Sequence, residues 1–303
     1  MSKLKALARA TLPQPLLSAG SRSYRSLRYT ASTPRAKRRF ARAQDAPEWL
    51  SPAALEELHA RYEVRLGYGY DPDTLERRGR ERAQQIAGLV GDTPQAREFL
   101  ELGCADGMTG AALSEQGRRV SGVDMDDSLD QRAVRAGVDF VEADAARLPL
   151  QDESFDVVYS YNTFEHVAQP DAALSEATRV LRPGGRLYLD FGPLYFSPFG
   201  LHAYDVISVP YCQLLFAPET LTDFLDRHGH PPLSDYVNGW SIERWRTLWR
   251  TYENRLDRLD YMEQRDLTGL GLISSYPSCF RGKTESFENL MVSHLRALFS
   301  KRR

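Results

Sequence analysis

The sequence predicts an open α/β fold in which a mostly parallel sheet carries helices on both faces. Three observations predict it. Between residues 97 and 191, short apolar strand-like runs alternate with helical stretches of about 10–15 residues. A glycine-rich turn leads from the first of these runs into a helix. Hydrophobic residues make up 42% and charged residues 26% of the 303, an ordinary globular balance. No run of about 18 apolar residues occurs, so no membrane-spanning helix is expected.

Residues 1–44 contain eleven Lys or Arg and no Asp or Glu, leaving 28 basic and 41 acidic residues in 45–303. The net charge of −2 therefore joins a basic head to an acidic body. The head is rich in Ser, Ala and Arg and broken by Pro13, Pro15 and Pro34. Too little of it can be buried to offset ordering entropy, so a disordered tail is expected, with one short helix at Leu4–Thr11. Such a tail suits weak contact with anionic surfaces. It lacks a secretory-signal pattern but matches the composition of a mitochondrial transit peptide. A cytoplasmic location is the preferred expectation and a mitochondrial one the alternative. Cys104, Cys212 and Cys279 are odd in number and widely spaced, which excludes a disulfide scaffold and a paired-cysteine metal site.

Residues 45–95 form a helical lead-in. In SPAALEELHARY, Ser51 is an N-cap with Pro52 in the first turn, and Leu55 and Leu58 share a face. TLERRGRERAQQIAGLV follows as a second helix. The core, residues 97–191, then reads REFLEL (strand), GCADGMTGAALSEQG (turn and helix), RRVSGV (strand), DDSLDQRAVRAG (helix) and VDFVEA (strand). FDVVYS (strand), PDAALSEATRVL (helix), the RPGG turn and RLYLDF (strand) complete it. Residues 192–303 supply a substrate cap and closing strands. There PETLTDFLDRHG and SIERWRTLWRTYENRLDRLDYME read as amphipathic helices, the second with Ile242, Trp245, Trp249, Tyr252 and Leu256 on one face. LGLISSYPSCF and NLMVSHLRALFSK read as the two closing strands.

In an open α/β sheet, ligands sit beyond the carboxyl ends of the strands. The turn Glu101-Leu-Gly-Cys-Ala-Asp-Gly107 lies there, with Gly103, Ala105 and Gly107 small enough for a ligand to approach the backbone. The spacing is G-x-A-x-G. It lacks the third glycine of dinucleotide binding and the Lys-Ser or Lys-Thr of a phosphate-cradling loop, and so suits a ligand without pyrophosphate. Asp124 ends the second strand, where a carboxylate accepts hydrogen bonds from both hydroxyls of a ribose. Asp144 follows the third strand, placed to accept from an exocyclic amine.

ELGCADG, VSGVDMDDS, VEADAARLPLQDESFDVVYS, FEHV and EATRVLRPGGRLYL together resemble class I S-adenosylmethionine-dependent methyltransferases, over about residues 97–191. The resemblance implies a Rossmann-like, mostly parallel seven-stranded sheet, with a helical and aromatic C-terminal insertion over the active site. It implies S-adenosylmethionine as cofactor and methyl transfer to an O or N of a small molecule. By resemblance Gly103, Ala105 and Gly107 line the methionine part, Asp124 binds the ribose, and Asp144 and Ala145 face the adenine. Glu101, Met125 and Ser160 complete the expected cofactor set. Ala105 stands where the family usually has a glycine.

A sulfonium is a good leaving group, so the protein mainly aligns a nucleophile and excludes water, and a general base is needed only where the acceptor carries a proton. His166 is the first candidate base and His202 the second. Some quinone-pathway relatives bind a divalent ion through Glu-x-x-Glu-His here. This chain has Asn162-x-x-Glu165-His166, so no metal is expected. The segment Tyr195–Phe216, with Tyr195, Phe196, Phe199, His202, Tyr204 and Tyr211, is the expected acceptor wall. Two other readings stand: a catalytically silent methyltransferase fold that binds partners, and a protein or nucleic-acid methyltransferase. The acidic body, with no basic stripe near the predicted pocket, disfavours a polyanionic substrate.

Overall fold

The computed structural model describes residues 32–303 apart from 47, 66, 68, 91–95 and 234–235. Its centre is a seven-stranded sheet of order β3-β2-β1-β4-β5-β7-β6. The strands are β1 (Glu98–Leu102), β2 (Arg119–Asp124), β3 (Asp139–Glu142), β4 (Phe155–Tyr161), β5 (Leu181–Phe191), β6 (Leu256–Arg265) and β7 (Val292–Lys301). The pairs β1–β2, β1–β4, β2–β3 and β4–β5 are parallel, whereas β7 runs antiparallel to both neighbours. The expected mostly parallel, Rossmann-like seven-stranded sheet is therefore present. Because β1 lies between β2 and β4, the crossovers on its two sides run in opposite directions and leave a crevice at its carboxyl end.

Strand residues alternate between two cores. One face puts Leu100, Leu102, Val158, Leu187 and Leu189 against Ala173, Leu174 and Ala177 of the helix Pro170–Val180 and against Trp245 and Trp249 of the helix Ile242–Thr251. The other face puts Phe99, Val157, Tyr159 and Tyr188 against Ala83 and Ile86 of the helix Pro72–Val90 and Ala112 and Leu113 of the helix Met108–Ser114. Trp245 and Trp249 are thus core residues rather than a docking surface. Ser51 caps the helix Pro52–His59 as expected, accepting from the Ala54 N–H.

A separate core holds the cap together. It joins the helices Pro52–His59, Cys212–Leu215, Pro218–Arg227, Leu270–Ser275 and Pro277–Arg281 with the irregular chain after β5. Three sequence expectations need correction here. The apolar LGLISSYPSCF is two short helices, not a strand, because Leu270, Leu272, Ile273, Cys279 and Phe280 are buried in the cap. The helix expected over 241–263 stops at Thr251, and Leu256–Arg265 is the sheet's edge strand, charged because it pairs on one side only. The basic head is not a tail throughout: residues 32–41 are helical, with Ala36 and Phe40 buried in the cap core and the Phe40 ring 5.7 Å from that of Phe287. The helix expected at Leu4–Thr11 lies outside the described residues. Among the described residues no helix is long and apolar enough to cross a membrane.

Candidate active site

The turn after β1 is built from left-handed backbone: φ is +72° at Gly103, +44° at Ala105 and +68° at Gly107. A Cβ at Gly103 would lie 2.1 Å from Thr163 Oγ1, so only glycine fits between this turn and the loop after β4. Asp124 ties the turn to the end of β2, its Oδ2 accepting the Ala105 N–H and its Oδ1 the Met125 N–H, both at 2.8 Å. Ala105 is thereby held by a charge-assisted bond in a conformation that glycine would adopt freely. Asp144 Oδ1 accepts the Ala146 N–H at 2.8 Å and fixes the turn after β3.

Two adjoining cavities open over these strand ends. The smaller, about 260 Å³, is walled by Met125, Ala143, Asp144, Ala145 and Val167. The larger, about 390 Å³, runs past Ala105 and Thr109 to Asn162, Pro193, His202 and Tyr204, with Tyr70 and Arg82 on its other side. Both include Gly103, Asp124, Thr163 and His166, so they form one elongated cleft. Ala105, Asn162 and His202 all line it with positive φ, a concentration of strain typical of binding sites.

His166, where the two cavities join, meets His202 of the larger one, their rings 4.7 Å apart and edge to face. Each is aimed by a backbone carbonyl. His166 Nδ1 donates to Tyr236 O at 2.7 Å, and His202 Nε2 donates to Pro193 O at 2.8 Å. Beneath them the buried Glu165 accepts the Gly192 N–H at 3.0 Å through Oε1.

Residues 100–189 match the model of a family described as a methyltransferase domain. An uncharacterized methyltransferase from Mycobacterium sp. (strain JLS) is 33% identical over 164 residues, 51% of this chain and 63% of the relative. One from Mycobacterium leprae (strain Br4923) is 30% identical over 167 residues, 51% of this chain and 60% of the relative. The chain thus spans about three-fifths of the curated relatives it matches. Residues 100–189 are thus similar to a methyltransferase domain. A solved S-adenosylmethionine-dependent methyltransferase from Methanosarcina mazei is similar at 18% identity and a TM-score of 0.45, covering 72% of this chain and 97% of that one.

The cleft gathers most of the expected residues: Gly103, Ala105, Asp124, Met125, Asp144, Ala145, His166 and His202. Three others stand behind it. Glu101 is buried and accepts from the Tyr159 hydroxyl at 3.1 Å. The Ser160 hydroxyl donates to Leu102 O at 2.8 Å. Gly107 packs against Leu129 at the start of the helix Met108–Ser114. Glu101 and Ser160 lie within β1 and β4 below the strand ends, and Gly107 lies at the helix start, so all three support the cleft from behind. Burial raises the Glu101 carboxyl to about 8, and burial likewise raises Glu165 to about 8.

Of the expected acceptor wall, His202 and Tyr204 reach the cleft, together with Asp205, whereas Tyr195, Phe196 and Tyr211 pack in the cap core. Sequence reasoning missed Arg82, Thr109 and Thr163. Arg82 stacks over the Tyr161 ring at 4.4 Å from a helix that precedes the recognisable motifs, and nothing local to its sequence marks it.

Proposed function

We propose that this chain transfers the methyl group of S-adenosylmethionine to an O or N of a small molecule. The observation that carries the proposal is the single cleft running from Asp144, past Asp124 and Gly103, to the His166–His202 pair. Its fit to the cofactor rests on the left-handed turn of small residues after β1 and on the carboxylate at the end of β2. Asp144 and Ala145 would hold the adenine, Asp124 the ribose hydroxyls, and Gly103, Ala105 and Thr109 the methionine part. Arg82 faces that end, with a charge suited to a carboxylate.

When bound, the cofactor supplies an electrophilic methyl on a positively charged sulfur. The chain's own residues then align the acceptor and exclude water. Pro193, Tyr204 and the exposed Tyr70 wall the acceptor end, and activation of the acceptor falls to His166 and His202. The acidic body favours a small acceptor over a polyanion. In this reading residues 96–303 form the catalytic unit, residues 192–303 include the substrate cap, the location is cytoplasmic, and residues 1–31 are accessory. The test is methyl release from labelled S-adenosylmethionine across phenols, hydroxy acids and amines, with His166→Ala alongside. Turnover of one acceptor class that falls at least about 100-fold in the variant supports the proposal. Turnover on RNA or protein, with none on any small acceptor, overturns it.

A further inference from the structure

We propose that Glu165, His166 and His202 form a binding site for a divalent transition-metal cation at the acceptor end of the cleft. The inference rests on the reading above for the orientation of the cleft, but not for the ligands themselves. One donor atom from each of the three residues lies within 4.8 Å of the others. Glu165 Oε1 and His166 Nε2 are 3.9 Å apart. Two donors each about 2.1 Å from a tetrahedral ion stand about 3.4 Å apart, so a shift of about half an ångström closes that pair on a cation.

A second observation points to a ligand. Glu165 is 1% exposed, and its Oε2 has no hydrogen-bond partner. A buried carboxylate oxygen without a donor is costly, and a cation would satisfy it. The histidines are also prepared in the way metal ligands are. In each, one ring nitrogen donates to a backbone carbonyl, which fixes the tautomer and the ring orientation. His202 is held at φ +60°, a conformation that histidine adopts at a cost. Two imidazoles and one carboxylate suit Zn²⁺, Co²⁺ or Mn²⁺ better than Mg²⁺, and three protein ligands leave a position open.

That open position faces the cavity through the partly exposed rings of His166 and His202. An acceptor hydroxyl bound there loses its proton to water more readily, because the cation stabilises the oxyanion. The new O–CH₃ bond then forms as the S–CH₃ bond breaks, and the pair stays on sulfur. The products are a methyl ether, S-adenosylhomocysteine and one proton. The preferred acceptor is therefore a hydroxyl compound.

The test titrates chelator-stripped full-length protein with Co²⁺, followed by its visible absorption and by bound metal per chain. Glu165→Gln keeps an acceptor for the Gly192 N–H, and His202→Asn tolerates left-handed backbone, so both variants should fold. Wild type is expected to bind one Co²⁺ in competition with Zn²⁺. Each variant should bind at least about tenfold more weakly while keeping the wild-type circular dichroism. No Co²⁺ bound by wild type, or equal affinity in the double variant, overturns the proposal. The titration needs no cofactor, so its failure is distinct from a failure to bind S-adenosylhomocysteine.

Discussion

Replacing Asp124 with alanine removes one carboxylate whose contribution to cofactor binding can be worked from its contacts. Its two oxygens each accept one backbone N–H at 2.8 Å. A carboxylate offers about four lone-pair directions, so about two remain for the ribose hydroxyls. Asp124 is partly exposed, which places each lost bond near the lower end of the charged range, about 1.5 kcal/mol. Two bonds amount to about 3 kcal/mol, or roughly 150-fold in Kd. At a ligand concentration of about 100 Kd the wild-type protein gains about 2.7 kcal/mol, and the variant would gain about 0.3. For a domain of this size that is a melting shift of about 5 °C reduced to below about 1 °C. Calorimetric titration with S-adenosylhomocysteine and thermal melting measure both quantities. Asp124→Asn, which keeps one carbonyl acceptor, should fall between. An Asp124→Ala Kd within about threefold of wild type would refute the reasoning and reduce Asp124 to a brace for the turn.

Gly103→Ala forces a Cβ to 2.1 Å from Thr163 Oγ1 at φ +72°, so it should cost at least about 1–2 kcal/mol of stability and about tenfold in S-adenosylhomocysteine affinity. Denaturant melts and calorimetry read both, and wild-type values would show that the turn has room to spare. Glu101 is raised by burial to about 8 from an ordinary 4.5, so it binds its proton more tightly folded than unfolded. The stability this gives is complete below about 4.5 and is lost as pH rises through about 8, at up to about 1.4 kcal/mol per pH unit. Because Glu165 is raised to the same value, Glu101→Gln should roughly halve the fall in urea-melt stability across pH 5–8, and an unchanged slope would assign it to other groups. Phe40→Ala should lower stability by about 3 kcal/mol and the melting temperature by about 6 °C without changing S-adenosylhomocysteine affinity. An unchanged melting temperature would mean that residues 32–44 do not dock on the cap.

The parallel half of the sheet and the part of the cleft lined by Gly103, Asp124 and Asp144 were legible in the sequence because both are local. Alternating apolar runs set β1 to β5, and the turn residues follow each strand directly. The closing strands were harder. Leu256 begins β6 but continues the helical spacing of Trp245, Trp249 and Tyr252, so the pattern extended a helix that stops at Thr251. The cap failed for a different reason: Leu270, Ile273 and Phe280 are apolar all round because they are buried among distant segments, and a short buried helix has no period to show. Phe40 sits among arginines, so average composition hid one helical face that finds a partner more than 240 residues away. The juxtaposition of His166 with His202, and of both with Glu165, depends on the path of the chain after β5, which no spacing rule specifies.

A crystal structure of the protein with S-adenosylhomocysteine tests the proposed use of the cleft most directly. Adenine is expected beside Asp144 and Met125, ribose hydroxyls on Asp124, and the sulfur facing the space in front of His166 and His202. A ligand bound with its sulfur turned away from the two histidines, or lodged outside the cleft over β1, would contradict it.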